Sequence, residues 1–369
     1  MKYYIIAGER SGDLHGSNLM KALAIKDTGA EFRYYGGDYM AAAGGKLVKH
    51  YHDIAIMGLV EVLKNLRKIK KYLNECKTDI VSYRPDVLIL IDFAGFNMRI
   101  AKFAHKKNFR VFYYISPKVW AWNTSRAWKI KKYTDRMFVI LPFEKEFYKK
   151  FNWEVDYIGN PVVDAVKNYQ LDENFHPQLD TNKPIIAILP GSRKQEVELM
   201  LPVMKDVMTA FQGYQFLVAG VSSLSEDIYD IWEEKPENVF LYTDKTYEIL
   251  SISTVAIVTS GTATLETALW NVPQVVGYIT SPISYAIGSR LVRIKYFSLV
   301  NLIAEKEVVK EYLQKKCTPE VLSQELRKLV EDDSYRATVF SGYEKVKNIL
   351  GDDPVSIKAA ELIIGYLSK

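Results

Sequence analysis

The sequence predicts an α/β protein built from two doubly wound, parallel-sheet halves, and three observations carry that prediction. Short apolar runs rich in β-branched residues alternate with segments of helical period along almost the whole chain. The same opening, strand to glycine-containing turn to helix, occurs at Lys2 and again at Ile185. Between the halves, residues 168–184 (NYQLDENFHPQLDTNKP) are polar and aperiodic, which reads as a linker. A chain of 369 residues suits two domains of ordinary size better than one.

In the first half, Lys2 to Ala7 reads as a strand, Gly8 to Asp13 as a turn, and Leu14 to Ile25 as a helix. Glu9 and Ser11 then face the crevice beyond the strand ends, where such sheets bind ligands. The plainer alternative is that Ser11 or Asp13 caps the helix. After Phe32–Gly36, residues Met57 to Lys77 place Leu59, Val62, Leu63, Leu66, Ile69, Tyr72 and Leu73 at helical spacing. Lys64, Arg67, Lys68, Lys70 and Lys71 cover much of the remainder. Such a helix either packs its stripe inward or lies on an anionic bilayer surface.

Pro85 to Asp92 is the clearest buried strand, and it ends in a carboxylate before the turn Phe93 to Asn97 and a helix from Met98 to His105. Asp92 stands where catalytic residues collect in open α/β sheets, and partial burial there suits a general base. Its alternative is again a helix cap. The strand Arg110–Ile115 runs into Ser116 to Trp122, followed by Arg126, Trp128, Lys129, Lys131 and Lys132. Indoles such as Trp120 beside cations suit a sugar and a phosphate, a lipid headgroup level, or a packed wall. Strands at Met137–Leu141 and Val155–Ile158 complete this half. His50, His52 and Asp53 alternate as on a strand, with no further metal ligand near.

The second half opens with IIAILPGSRKQEVELMLP, Ile185 to Pro202. Its strand, Gly191-Ser192 turn and helix from Gln195 aim backbone N–H groups beyond the strand end, where an anion is favoured. Arg193 adds a planar, permanently charged fork suited to phosphate oxygens. Strands follow at Gln215–Ala219, Val239–Tyr242, Val255–Val258 and Gln274–Tyr278. The turn Thr259, Ser260, Gly261, Thr262, Ala263, Thr264 repeats the opening, and Glu266 lies one turn into its helix, within reach of a ribose diol. Asn301 and Gln314 carry amides able to read a base or a sugar. Helices at Pro319–Glu331 and Ala337–Leu350 precede a break at Gly351–Pro354 and a last helix striped by Ala359, Leu362, Ile363, Tyr366 and Leu367.

A net charge of +5 is too weak to imply nucleic acid. Two cysteines, Cys76 and Cys317, fit a reducing compartment rather than a disulfide scaffold. The opening MKYYIIAGER is too short an apolar run for a signal peptide, and no window reads as a spanning helix, so membrane contact is expected to be peripheral. With no Asp-x-Asp pair, a metal-assisted diphosphate site is not expected.

Taken in order, AGERSGDLHG, MGLVEVL, IDFAGFN, SPKVWAW, LPFEKEFY, LPGSRKQEVELMLP, SGTATLE, VVGY and SLVNLIAEKEVVKEYLQ resemble the lipid-A-disaccharide synthase family, over residues 7 to about 317. The resemblance implies a GT-B fold: two Rossmann-like domains facing across a cleft, with a C-terminal helix returning to the first. On this reading residues 1–167 bind the acceptor, 168–184 link, 185–340 bind the UDP-sugar, and 341–369 pack back on the first domain, in their own chain or a partner's. It implies an inverting glycosyltransferase that joins UDP-2,3-diacylglucosamine to 2,3-diacylglucosamine 1-phosphate (lipid X) by a β-1,6 bond, releasing UDP without metal or other cofactor. By resemblance Asp92 is the base, Arg193 and Asn301 are needed for activity, and Glu9 and Ser11 line the cleft. Ser192, Ser260, Gly261, Thr262, Thr264, Glu266, Gln314 and Trp120 are the remaining expected substrate contacts. Members act at the cytoplasmic face of the inner membrane, which favours the 57–77 helix and its neighbouring aromatics as a membrane contact; a homodimer is a further expectation. Relatives carry Asp where Gly95 stands, so Asp92 is here the one carboxylate of its turn. Two alternatives stay open: a GT-B enzyme on a soluble UDP-sugar, such as a UDP-N-acetylglucosamine 2-epimerase or a peptidoglycan glycosyltransferase, and a non-enzymatic nucleotide-sugar-binding module.

Overall fold

A computed structural model describes residues 1–54, 65–180, 182–281, 285 and 294–368. The chain divides into unit 1, Met1–Asp164 with Asp353–Lys369, and unit 2, Ala165–Asp352. Unit 1 holds β1 (Lys2–Ile6), β2 (Glu31–Gly36), β3 (Lys46–His50), β4 (Val87–Ile91), β5 (Val111–Tyr114), β6 (Arg136–Val139) and β7 (Asp156–Tyr157). They form one sheet in the order β3-β2-β1-β4-β5-β6-β7. Unit 2 holds β8 (Ile185–Leu189), β9 (Gln215–Gly220), β10 (Val239–Thr243), β11 (Val255–Thr259), β12 (Gln274–Tyr278) and β13 (Glu311–Leu313). Their order is β10-β9-β8-β11-β12-β13. Every pairing in both sheets is parallel.

The two orders are the same doubly wound pattern. In each, the first strand of the unit lies between its second and fourth, so the chain reverses direction of growth there. In doubly wound sheets ligands bind beyond the carboxyl ends of the strands at this reversal, here β1 and β4, and β8 and β11. Strands β1 and β4 are apolar on both faces because helices cover both. Tyr4, Ile6, Leu88 and Leu90 enter the core under the helices Leu66–Tyr83 and Ala94–Lys106. Tyr3, Ile5, Val87 and Ile89 enter the opposite core, which also takes Val355, Ala359, Ala360 and Ile363 from the last helix.

Several boundaries move. The first helix begins at Arg10, not Leu14, with Glu9 as its N-cap. Asp13 does not cap that helix: it is buried and accepts the backbone N–H groups of Gly37 (2.6 Å), Tyr39 (3.0 Å) and Met40 (3.1 Å), so it caps the helix Asp38–Ala43. Residues 168–184 are not a free linker. Tyr169 donates to Glu248 (2.7 Å), Lys245 pairs with Asp172 (2.6 Å), and Phe175 and Leu179 pack on the core of unit 2. The helix Asp333–Leu350 belongs to unit 2, where the Tyr343 hydroxyl donates to the Val272 carbonyl at 3.0 Å. Of the segment 341–369, the part in unit 1 starts at Asp353, and Asp164 caps its helix Val355–Leu367 through Val355 (3.0 Å) and Ser356 (2.8 Å). His52 and Asp53 lie in the helical turn Tyr51–Ile54 rather than on a strand.

The 57–77 helix is described from Leu66 and extends to Tyr83; residues 57–64, with Leu59, Val62, Leu63 and Lys64, lie outside the described residues. In the described part Leu73, Cys76 and Ile80 are buried and Ile69 and Tyr72 pack against them, so most of the apolar stripe is spent on the unit's own core, while Leu66 is exposed. Arg67, Lys68, Lys70 and Lys71 are exposed.

Candidate active site

In unit 1, the loops after β1 and β4 meet. A side chain on Gly8 would run into the ring of Phe93 at 2.2 Å, so bare backbone is required for the two loops to touch. Ser11 donates to the Glu9 carboxylate at 2.9 Å, next to the residues that follow β1. Asp92 leaves the end of β4 with φ +39, and Phe93 follows at φ +44. Both are in the left-handed region, which L-residues enter at a cost. The Asp92 carbonyl accepts from the Asn97 amide (3.0 Å) and the Tyr113 hydroxyl (2.6 Å). The structure therefore brings Glu9, Ser11 and Asp92 to the switch point of one sheet.

Unit 1 also holds two buried ionisable groups. His15, one turn beyond Ser11, is pushed down to about 4 by burial, against the pull of Glu9 and Asp164. Glu144 is pushed up to about 7 by burial, opposed by the backbone N–H groups of Leu141 and Ile140 and by the Trp120 indole. Trp120 donates to Glu144 at 3.0 Å and packs edge-on against Phe143 at 4.9 Å. Its polar edge is thus committed to Glu144, and its expected role as a substrate contact is reduced to whatever its face offers.

In unit 2, the turn after β8 looks like an anion site, but the protein fills it. Arg193 is the N-cap of the helix Lys194–Ala210, and Glu196 folds back upon it. One Glu196 oxygen pairs with the Arg193 guanidinium at 2.9 Å; the other accepts from Ser192 (3.2 Å) and Arg193 (3.3 Å) N–H. Gly191 adopts φ +125, and a side chain there would approach Glu196 Cβ to 2.6 Å. The glycine gives Glu196 room to fold back. A glutamate at the third helical position was the sequence signal for this cap.

After β11, Gly261 precedes the helix Thr262–Leu269, and a side chain added at Gly261 meets nothing within 4 Å. The hydroxyls on either side serve the framework. Ser260 donates to the Phe297 carbonyl (3.0 Å), and Thr264 accepts from Leu299 N–H (3.2 Å). Glu266 accepts from the Tyr247 hydroxyl at 2.5 Å.

Asn301 is fully buried, and its amide is saturated. It donates to the Val309 carbonyl (2.8 Å) and Glu311 (2.7 Å), and accepts from Val308 (2.7 Å) and Val309 (3.0 Å) N–H. Two donors and two acceptor positions are all an amide has. The expectation that Asn301 reads a base or sugar is corrected: it holds Glu311, which in turn takes the N–H groups of Phe297 (2.8 Å) and Ser298 (2.9 Å). The Gln314 amide, oriented as its neighbours require, pairs with both backbone groups of Thr280 (2.9 and 3.2 Å). Sequence reasoning missed Asn97, Tyr113, Glu144, Glu196 and Glu311, because each acts through partners distant in sequence or through a cap.

The family described as lipid-A-disaccharide synthetase matches residues 3–362. The lipid-A-disaccharide synthase of Geobacter metallireducens is 36% identical over 372 residues, 99% of this chain and 97% of that protein. That of Coxiella burnetii is 35% identical over 91% of this chain and 90% of its own. Among solved structures, a UDP-GlcNAc 2-epimerase from Neisseria meningitidis bound to UDP-GlcNAc superposes with TM-score 0.71 at 14% identity, covering 100% of both chains. The calicheamicin glycosyltransferase CalG4 gives 0.64 at 14% identity, over 100% of this chain and 98% of its own. At such identity these structures speak to the fold alone, which is GT-B.

Proposed function

Since the chain belongs to the lipid-A-disaccharide synthetase family and is a glycosyltransferase of that kind, we propose that it joins UDP-2,3-diacylglucosamine to 2,3-diacylglucosamine 1-phosphate through a β-1,6 bond, releasing UDP. Asp92 accepts the proton of the acceptor's 6-hydroxyl while that oxygen attacks the donor's anomeric carbon. The bond from that carbon to the β-phosphate oxygen breaks, the centre inverts, and UDP departs. Glu9 and Ser11 orient the acceptor. The helix N-terminus behind Gly261 and the Arg193 guanidinium receive the charge that grows on the leaving diphosphate. Glu266 holds the ribose. Asn301, Ser260 and Thr264 act by fixing the segments around them.

The observation that supports this reading is the position of Asp92, a carboxylate at the switch point of a doubly wound sheet on a left-handed turn. The acyl chains require a lipid surface nearby. We place that surface against the exposed cations Arg67, Lys68, Lys70 and Lys71 of one helix and the exposed Lys129, Lys132 and Trp128 of another. Each such cation contributes about 1 kcal/mol near an anionic leaflet. Among the described residues, no helix is long and apolar enough to cross a membrane.

UDP release measured with diacylated and unacylated donor and acceptor tests the activity. Turnover confined to the diacylated pair is expected. Full rate on a soluble sugar would favour a soluble UDP-sugar enzyme, and UDP bound but never produced would favour a binding module. Serine at positions 67, 68, 70 and 71 is expected to lower cosedimentation with anionic vesicles; unchanged sedimentation removes this face from the membrane contact.

A further inference from the structure

We infer that Asn97 and Tyr113 are positioning residues for Asp92, holding the end of β4 in the left-handed turn from which its carboxylate acts. The inference rests on the reading of Asp92 as the base, and goes beyond it by naming what keeps that base in place.

Two successive residues with side chains, Asp92 and Phe93, occupy left-handed backbone at φ +39 and +44. Aspartate tolerates that region, but phenylalanine does not, and each such residue costs about 1–3 kcal/mol unless its surroundings over-determine it. The over-determining contacts are on the backbone. Both lone pairs of the Asp92 carbonyl are taken, by Asn97 Nδ2 at 3.0 Å and Tyr113 Oη at 2.6 Å. The same Asn97 nitrogen lies 3.0 Å from the Ile91 carbonyl and 3.4 Å from that of Ile6, tying the turn to the ends of β4 and β1. The Asp92 N–H reaches the Ile115 carbonyl at 3.2 Å, from a residue itself at φ +68. The Phe93 ring seats on the bare backbone of Gly8 and stacks on Phe96 at 5.5 Å.

Asn97 and Tyr113 are 0% exposed, so neither can touch a substrate. Their effect on the reaction passes through the turn. Burial holds the Tyr113 phenol well above its ordinary range, so it stays a hydrogen-bond donor at any working pH. With one donor gone, the carbonyl keeps a single partner and the strained pair can relax. A displacement of about 1 Å at a reacting group costs up to about 100-fold in rate.

Tyr113→Phe is the cleanest test, since it deletes one oxygen and keeps the ring. We expect kcat to fall about tenfold with KM for the nucleotide sugar within twofold. Asn97→Ala, checked for folding by thermal melting, is expected to fall further; if it does not fold, Tyr113→Phe carries the test alone. The deciding measurement is the pair with Asp92→Asn. If Tyr113 works through the base, adding Tyr113→Phe leaves the slow residual rate of Asp92→Asn unchanged. An equal fall in both backgrounds, or an unchanged kcat in Tyr113→Phe alone, overturns the proposal. Asp92→Asn turning over at the wild-type rate would instead remove the base reading beneath it, and that result is read from the single variant.

Discussion

The two switch points share a strand order and a local sequence pattern, yet they are built oppositely. In unit 1 the turn after β4 is strained, and buried donors from Asn97 and Tyr113 meet its backbone. In unit 2 the turn after β8 is closed by its own carboxylate, Glu196, which accepts the Ser192 and Arg193 N–H groups and pairs with one nitrogen of the half-exposed Arg193 guanidinium. The turn after β11 has open space at Gly261 and spends its hydroxyls on neighbouring backbone. A strand–glycine–helix motif therefore announces a place for a ligand but not whether the place is vacant. Of two such motifs in unit 2, one is already satisfied internally.

The largest effect that sharpens this contrast belongs to Asn301. If it is framework, Asn301→Ala leaves the Val308 and Val309 backbone without their amide partner, takes one donor from Glu311, and costs about 2–4 kcal/mol in denaturant unfolding. Loss of activity with stability unchanged would restore Asn301 as a direct contact.

Next comes pH. Between 4.5 and about 7, native Glu144 keeps a proton that the unfolded chain has released, so its contribution to stability declines as pH rises. Between about 4 and 6.5, native His15 stays neutral while the unfolded chain is protonated, so its contribution increases with pH. The two slopes oppose each other across most of that window. Glu144→Gln is expected to expose the His15 rise, on the order of 2 kcal/mol between pH 4.5 and 6.5. A variant as flat as the wild type would remove Glu144 from the balance.

The smallest and most discriminating effect compares two glycines. Gly191→Ala meets both a disfavoured φ and Glu196, and should cost about 1–2 kcal/mol of stability. Gly261→Ala should leave stability unchanged, because its φ of 166 is extended and its surroundings are open. If the diphosphate rests there, UDP affinity falls at least tenfold in Gly261→Ala. Unchanged affinity would move the diphosphate elsewhere.

Much of this protein was legible before any coordinates. Apolar runs of four to six residues, punctuated by glycine and followed by helical period, dictate parallel strands covered on both faces, because no other arrangement buries them. Asp92 was visible as a carboxylate closing the strongest of those runs. The linker was misread for a physical reason: residues 168–184 lack any period because they are pinned one at a time, by Tyr169, Asp172 and Phe175, to a surface built elsewhere.

What the sequence alone determined is the alternation of strand and helix, the two-unit organisation, and the placing of Asp92, Arg193 and Gly261 at strand ends, since these follow from local pattern and chain reversal. What only the tertiary structure decided is which polar groups remain available there. Hydrogen-bonding capacity is finite, and whether Asn301 or Gln314 has spent it depends on partners brought in by the fold rather than on immediate neighbours in the chain.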